Sequence, residues 1–174
     1  MKKILIVIDA QSDFINGVLG SKEAIIAKDN ICDLIKNSNY ETIYFTQDIH
    51  ENDTYLSTQE GRYLPIKHCI RNTPGAAINS KILLNVNEST KIFPIRKSTF
   101  GTLALKNILD PANIESIDIV GFCTDICVIT NVLIIKTLCP ETEINVIEKC
   151  CAGSTLEKHN AVIKIMESCQ VNII

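Results

Sequence analysis

A chain of 174 residues, 46% hydrophobic and 21% charged, is long enough to bury one sizeable core and falls outside the disordered and membrane-spanning classes. Its net charge of -3 provides no basic field for nucleic acid, so the expected partner is a small molecule.

Lys2-Lys3 followed by Ile4 to Ile8 imitates the start of a signal peptide, but the apolar run stops at Asp9 and is shorter than the roughly 7 to 15 residues a signal core needs. It reads instead as a first strand. Asp, Lys or Glu interrupts every later apolar stretch, so no membrane segment is expected and the location is read as cytoplasmic. An amphipathic helix follows over Glu23 to Asn37, then a strand over Thr42 to Thr46. Asp48 to Pro74 is polar, carries Gly61, Pro65 and Pro74 and has neither period; a loop that long in a compact domain is usually functional. Further strands are predicted over Lys91 to Ile95, Ile117 to Val120, Ile144 to Ile147 and Val171 to Ile174. Helical patterns cover Leu103 to Leu109, Asp125 to Leu138 and Glu157 to Ser168. Thr124 or Asp125 is placed to cap the helix carrying Cys127, and Ser154-Thr155-Leu156-Glu157 reads as a capping box. Nearly continuous apolar strands alternating with helices predict an α/β fold, a parallel sheet covered by helices on both faces.

Eight cysteines invite a disulfide reading, which the lack of a secretion signal opposes. Cys32, Cys139 and Cys169 read as small hydrophobes on buried helix faces, and Cys150-Cys151 as a strand-end pair.

In open parallel sheets, ligands bind beyond the carboxyl ends of the strands. Asp9, Asp48, Lys97 and Cys127 all follow predicted strands and converge on that edge. Cys127 falls in a first helical turn, where free N–H groups and the helix dipole favour a thiolate and the N–H groups can receive an oxyanion. Lys97 would lower the thiol further, and Asp9 can take its proton and return it to a leaving amine. Asp48-Ile49-His50 with His68 forms a divalent-metal pattern with Glu60 as a fourth candidate; one carboxylate and two imidazoles suit zinc, with iron or manganese as alternatives. His159, mid-helix, is assigned to surface or packing.

These motifs resemble the isochorismatase-like cysteine hydrolases, and within them the nicotinamidase-like subgroup. The resemblance spans nearly all of residues 1–174 as one hydrolase domain. It rests on Ile8-Asp9-Ala10-Gln11-Ser12-Asp13-Phe14, on Asp48-Ile49-His50 with His68-Cys69 and Asn72 to Ala76, on Arg96 to Thr102 around Lys97, and on Gly121 to Val128 around Cys127. It implies a three-layer sandwich with a six-stranded, mainly parallel sheet, an Asp9–Lys97–Cys127 triad, a non-proline cis peptide at Phe122-Cys123, an oxyanion site of the Cys123 and Cys127 N–H groups, and a homo-oligomer. Relatives that cleave isochorismate usually lack the metal residues, so amide hydrolysis is expected, with nicotinamide the leading substrate. Two departures stand out. The stretch from Lys97 to Gly101 is shorter than in many nicotinamidases, and the chain has no Trp, which leaves Phe14, Phe100 and Phe122, or Tyr55 and Tyr63, as ring partners. Another small amide, a ureido acid or a vinyl ether are alternative substrates, and a lapsed scaffold is a non-enzymatic alternative. A signalling receiver domain fits less well, because it expects an acidic pair after the first strand and its lysine late in the chain.

Overall fold

The computed structural model describes residues 2–174. In chain order it contains β1 (Lys2–Ile8), α1 (Ser12–Ile15), α2 (Lys22–Lys36), β2 (Thr42–Asp48), α3 (Gln59–Tyr63), α4 (Ser80–Leu83), β3 (Lys91–Lys97), β4 (Ile114–Phe122), α5 (Ile129–Leu138), β5 (Glu143–Ala152), α6 (Leu156–Ser168) and β6 (Asn172–Ile173). The six strands form one sheet in the order β3-β2-β1-β4-β5-β6, and every pairing is parallel. No helix among the described residues is long and apolar enough to cross a membrane.

Strand alternation divides the apolar side chains between two cores. Ile4, Ile6 and Ile8 face one layer with Val132 and Ile135 of α5 and Val162, Ile163 and Met166 of α6. Leu5 and Val7 face the other with Ala24, Ala27, Ile31 and Ile35 of α2, a stripe at helical spacing. The expected three-layer sandwich is therefore present. Leu103–Asn107 forms a 3-10 turn rather than a regular helix.

The chain runs outward from β1 through β2 to β3, then returns to place β4 on the other side of β1. Strand order reverses between β1 and β4, the kind of crevice in which ligands bind. Gly121 sits there with φ +130°, paired with Ile8, and a Cβ on it would lie 2.0 Å from the Ile8 carbonyl oxygen. Only glycine permits this approach, which brings the end of β4 against Asp9.

All eight cysteines are free thiols. Cys139, Cys150 and Cys151 are buried, whereas Cys32 and Cys169 are only half-buried, a correction to their predicted place on buried faces.

Candidate active site

Asp9 directly follows β1 in the left-handed region, at φ +45°, a conformation that Asp adopts more readily than most residues. Thr46 on β2 fixes it twice. The Thr46 hydroxyl accepts from the Asp9 N–H at 3.0 Å and donates to Asp9 Oδ1 at 2.6 Å. Asp9 Oδ2 faces Lys97 Nζ at 2.6 Å, with no second partner, and is the oxygen left for another proton. Lys97, at the end of β3, also lies 3.7 Å from Cys127 Sγ and 3.9 Å from Asp48 Oδ1. Water is nearly excluded: Asp9, Cys127 and Lys97 are 0%, 5% and 7% exposed.

The three groups set one another's protonation. Burial pushes the Asp9 carboxyl up, against the opposing charge and hydrogen bond of Lys97. Burial works against the Lys97 ammonium, but the charges of Asp9, Cys127 and Asp48 outweigh it and hold the group above its usual value. The Cys127 thiol differs from expectation. Burial and then the Asp9 charge raise it well above its ordinary value, and Lys97 offsets only part of that rise. Burial therefore favours the neutral form of the thiol in the resting centre.

The backbone around Cys127 also departs from the expected first turn of a helix. Residues Thr124–Val128 form a π turn in which the Val128 N–H donates to the Cys123 carbonyl five residues back at 3.0 Å. The Ile126 N–H donates to the same oxygen at 3.1 Å. The peptide Phe122-Cys123 is cis, as the resemblance implies. Neither Thr124 nor Asp125 caps the turn, because both side chains are drawn into tertiary contacts. The Thr124 hydroxyl meets His159 Nδ1 at 2.9 Å, and Asp125 accepts from the Ser154 N–H and hydroxyl. The cap of α6 is likewise Thr155 rather than Ser154, with the Thr155 hydroxyl accepting from Lys158 N–H.

The second cluster lies beside the first. Asp48 ends β2 opposite Lys97. His50 and His68 converge through a short parallel bridge, in which His50 N–H donates to Cys69 O and Arg71 N–H donates to His50 O. Glu60 enters from the first turn of α3, whose N-terminus is capped by Thr58. The four ligand atoms of Asp48, His50, Glu60 and His68 lie within 4.8 Å of one another. Asp48 Oδ2 is 2.7 Å from His50 Nε2 and 3.6 Å from His68 Nε2, and Glu60 Oε1 is 3.7 and 3.5 Å from the same two nitrogens. His68 Nδ1 lies 2.9 Å from the Ile66 carbonyl, which leaves Nε2 free to coordinate. Burial would raise the Asp48 carboxyl, yet hydrogen bonds from His50 and His68 and the Lys97 charge hold it well below the usual carboxylate range. Burial would lower His68, yet hydrogen bonds to Asp48, Glu60 and Ile66 lift it to about 10. Two imidazoles and two carboxylates converging on one point fit a divalent cation, which would take the place of the protons now shared among them.

The aromatic residues separate. The Phe14 ring is 5.5 Å from that of His68, and Tyr55 packs edge-on against both His50 and His68. Phe100 is 46% exposed on the loop after Lys97, and Tyr63 points to solvent. Phe122 is packed into the core on the α2 side of the sheet with Val7 and Val120 and is only 1% exposed, which leaves it little surface to offer a substrate.

Three supporting residues escaped sequence reasoning. Thr46 is one. Gln11 donates to the carbonyls of Asp48 and Ala76 and accepts from the Asp48 N–H, so it fixes the carboxylate shared by the two clusters. Asn131, fully buried, donates to the Cys127 and Phe100 carbonyls and accepts from the Thr102 N–H, tying the nucleophile turn to the loop after Lys97. Gln11 within the first-strand motif was the only one with a local signal.

Fold and centre together define a class: a three-layer α/β enzyme domain with a buried carboxylate, ammonium and thiol at the sheet's switch point and a four-ligand cluster beside them. The isochorismatase domain model matches residues 3–174, and the chain belongs to the isochorismatase family. It is 26% identical to a nicotinamidase of Schizosaccharomyces pombe, over 98% of this chain and 91% of that protein. Among solved structures, it superposes on the nicotinamidase/pyrazinamidase PncA of Bacillus subtilis with a TM-score of 0.82 at 22% identity, over 99% of each chain. It also superposes on the pyrazinamidase of Pyrococcus horikoshii in complex with zinc, with a TM-score of 0.79 at 23% identity, over 100% of this chain and 99% of that one.

Proposed function

We propose that this protein is a cysteine-dependent amidohydrolase that converts a small carboxamide, nicotinamide first among candidates, to its acid and ammonia. One observation carries the reading: Lys97 Nζ sits 2.6 Å from Asp9 Oδ2 and 3.7 Å from Cys127 Sγ in a nearly water-free centre. Thr46 occupies Asp9 Oδ1, so Oδ2 takes the thiol proton while Lys97 balances the charge. The sulfur then bonds to the carboxamide carbon, and the Cys123 and Cys127 N–H groups receive the oxyanion. Asp9 passes its proton to the departing amine, the C–N bond breaks, and a thioester remains. Water, deprotonated by Asp9, cleaves the thioester to the acid and restores the thiol.

Asp48, His50, Glu60 and His68 would hold the cation. When bound, it supplies a Lewis-acid anchor for a substrate heteroatom, such as a pyridine nitrogen, and orients the carboxamide. Zinc is the proposed ion; the zinc complex of the Pyrococcus horikoshii pyrazinamidase supports that choice. Phe14 and Phe100 are the proposed ring contacts.

The test is an ammonia-release screen across nicotinamide, other small amides and a ureido acid, with pyruvate release from isochorismate measured in parallel, each with and without a chelator. Nicotinamide is expected to release ammonia fastest, chelation to suppress that release, and zinc to restore it. Pyruvate release alone would replace the reading with vinyl-ether cleavage.

A further inference from the structure

The turn that carries Cys127 lacks a regular helical bond pattern, so its position has to be fixed from outside. Asn131 of α5 holds the Cys127 carbonyl, and the first two residues of the turn are held by the segment opening α6. Thr124, the turn's first residue, is fully buried, and its hydroxyl meets Nδ1 of the buried His159 at 2.9 Å. His159 Nε2 faces the half-exposed Glu148 carboxylate at 3.6 Å, a direction that suits an N–H on Nε2 and leaves Nδ1 to accept from the Thr124 hydroxyl. The next residue, Asp125, takes 2.7 and 2.6 Å hydrogen bonds from the Ser154 N–H and hydroxyl. Gly153 makes the approach possible: a Cβ there would lie 2.9 Å from both Asp125 Oδ1 and His159 Cβ. Thr124 and Asp125 are both residue types that ordinarily cap a turn locally, yet both are committed to α6.

We propose that the start of α6 is a positioning bracket for the nucleophile turn, with Thr124 and His159 as the positioning pair. The inference rests on the reading of Cys127 as nucleophile. The hydroxyl–imidazole contact sets where Sγ lies relative to Lys97 and where the Cys127 N–H points, without touching substrate. Loss of the contact therefore lowers kcat, while KM, set at the cation cluster and its aromatic walls, stays near its original value. A misplacement of about 1 Å costs up to roughly 100-fold in rate.

The experiment compares Thr124→Val, His159→Leu and His159→Asn with the zinc-loaded protein. It measures kcat and KM for nicotinamide, melting temperature, and the rate of iodoacetamide labelling at Cys127 read by peptide mass spectrometry. Thr124→Val and His159→Leu are each expected to lower kcat by roughly 10- to 100-fold with KM within about twofold. The double variant should be no worse than the poorer single. His159→Asn, whose amide oxygen replaces Nδ1 as acceptor, should recover most of the rate. Wild-type kcat in His159→Leu, or strictly multiplicative losses in the double variant, would overturn the bracket. If His159→Leu does not fold, Thr124→Val, nearly equal in volume, carries the comparison. If the wild-type protein hydrolyses no amide, the proposed function fails separately and the bracket is judged on labelling: a threefold or greater slowing in both variants supports it, and a smaller or opposite change refutes it.

Discussion

Cys127→Ala is expected to reduce kcat/KM for the amide by about 10⁴- to 10⁶-fold, the range seen when a covalent nucleophile is removed from a group that acts as a unit. The change deletes one sulfur from a turn whose backbone is held by bonds to the Cys123 carbonyl and by Asn131 on the Cys127 carbonyl. Its effect on stability should stay near 1 kcal/mol, as for other small truncations in a core. The variant should therefore melt cooperatively close to the wild-type temperature and still bind substrate. Full turnover in a folded Cys127→Ala protein would remove the cysteine from the chemistry.

The second large effect is expected at Asp9. Asp9→Asn keeps the shape and tolerates the left-handed backbone, but leaves the Lys97 ammonium buried with only Asp48, 3.9 Å away, as a counter-charge. Turnover should fall by about 10²- to 10⁴-fold through loss of the proton acceptor. The pH profile supplies a separate signature. Burial raises the Asp9 carboxyl above its ordinary 3.8 even against Lys97, so the base is protonated in acid and ionises as pH rises. The rate should climb with pH along a limb whose midpoint lies above 3.8, and Asp9→Asn should lack that limb. Linkage has the opposite sense for stability. A carboxyl raised in the folded state contributes most below pH 3.8, and the contribution is lost as pH rises through the folded value. As pH rises through that window the rate should climb while stability declines, and both would trace to this one carboxyl.

The sheet was legible in the sequence for a definite reason. Strands buried on both faces must be apolar throughout, so Ile4 to Ile8 and Ile117 to Val120 stand out against their surroundings. Strand ends then locate Asp9, Asp48 and Lys97 without any knowledge of packing. The first bend in that logic comes where side chains choose distant partners over local ones. Thr124, Asp125 and Ser154 are cap-forming types by sequence, yet they bond across the turn and the β5–α6 connection instead. His159 has no local signal that separates it from a packing residue. The direction in which the Cys127 thiol shifts is hidden for a related reason: proximity to a lysine is visible in a motif, but burial and the larger influence of the Asp9 charge exist only in the folded chain. Phe122 shows the same limit, since strand parity decides which side of the sheet it faces.

Covalent trapping tests the central claim most directly. Zinc-loaded protein is mixed with nicotinamide, quenched in acid within milliseconds to seconds, and its peptides are analysed by mass spectrometry. An acyl adduct confined to the peptide carrying Cys127, appearing before nicotinate accumulates and absent from Cys127→Ala, is the predicted result. Nicotinate accumulating with Cys127 unmodified at every time point, or formed at the wild-type rate by Cys127→Ala, would contradict it.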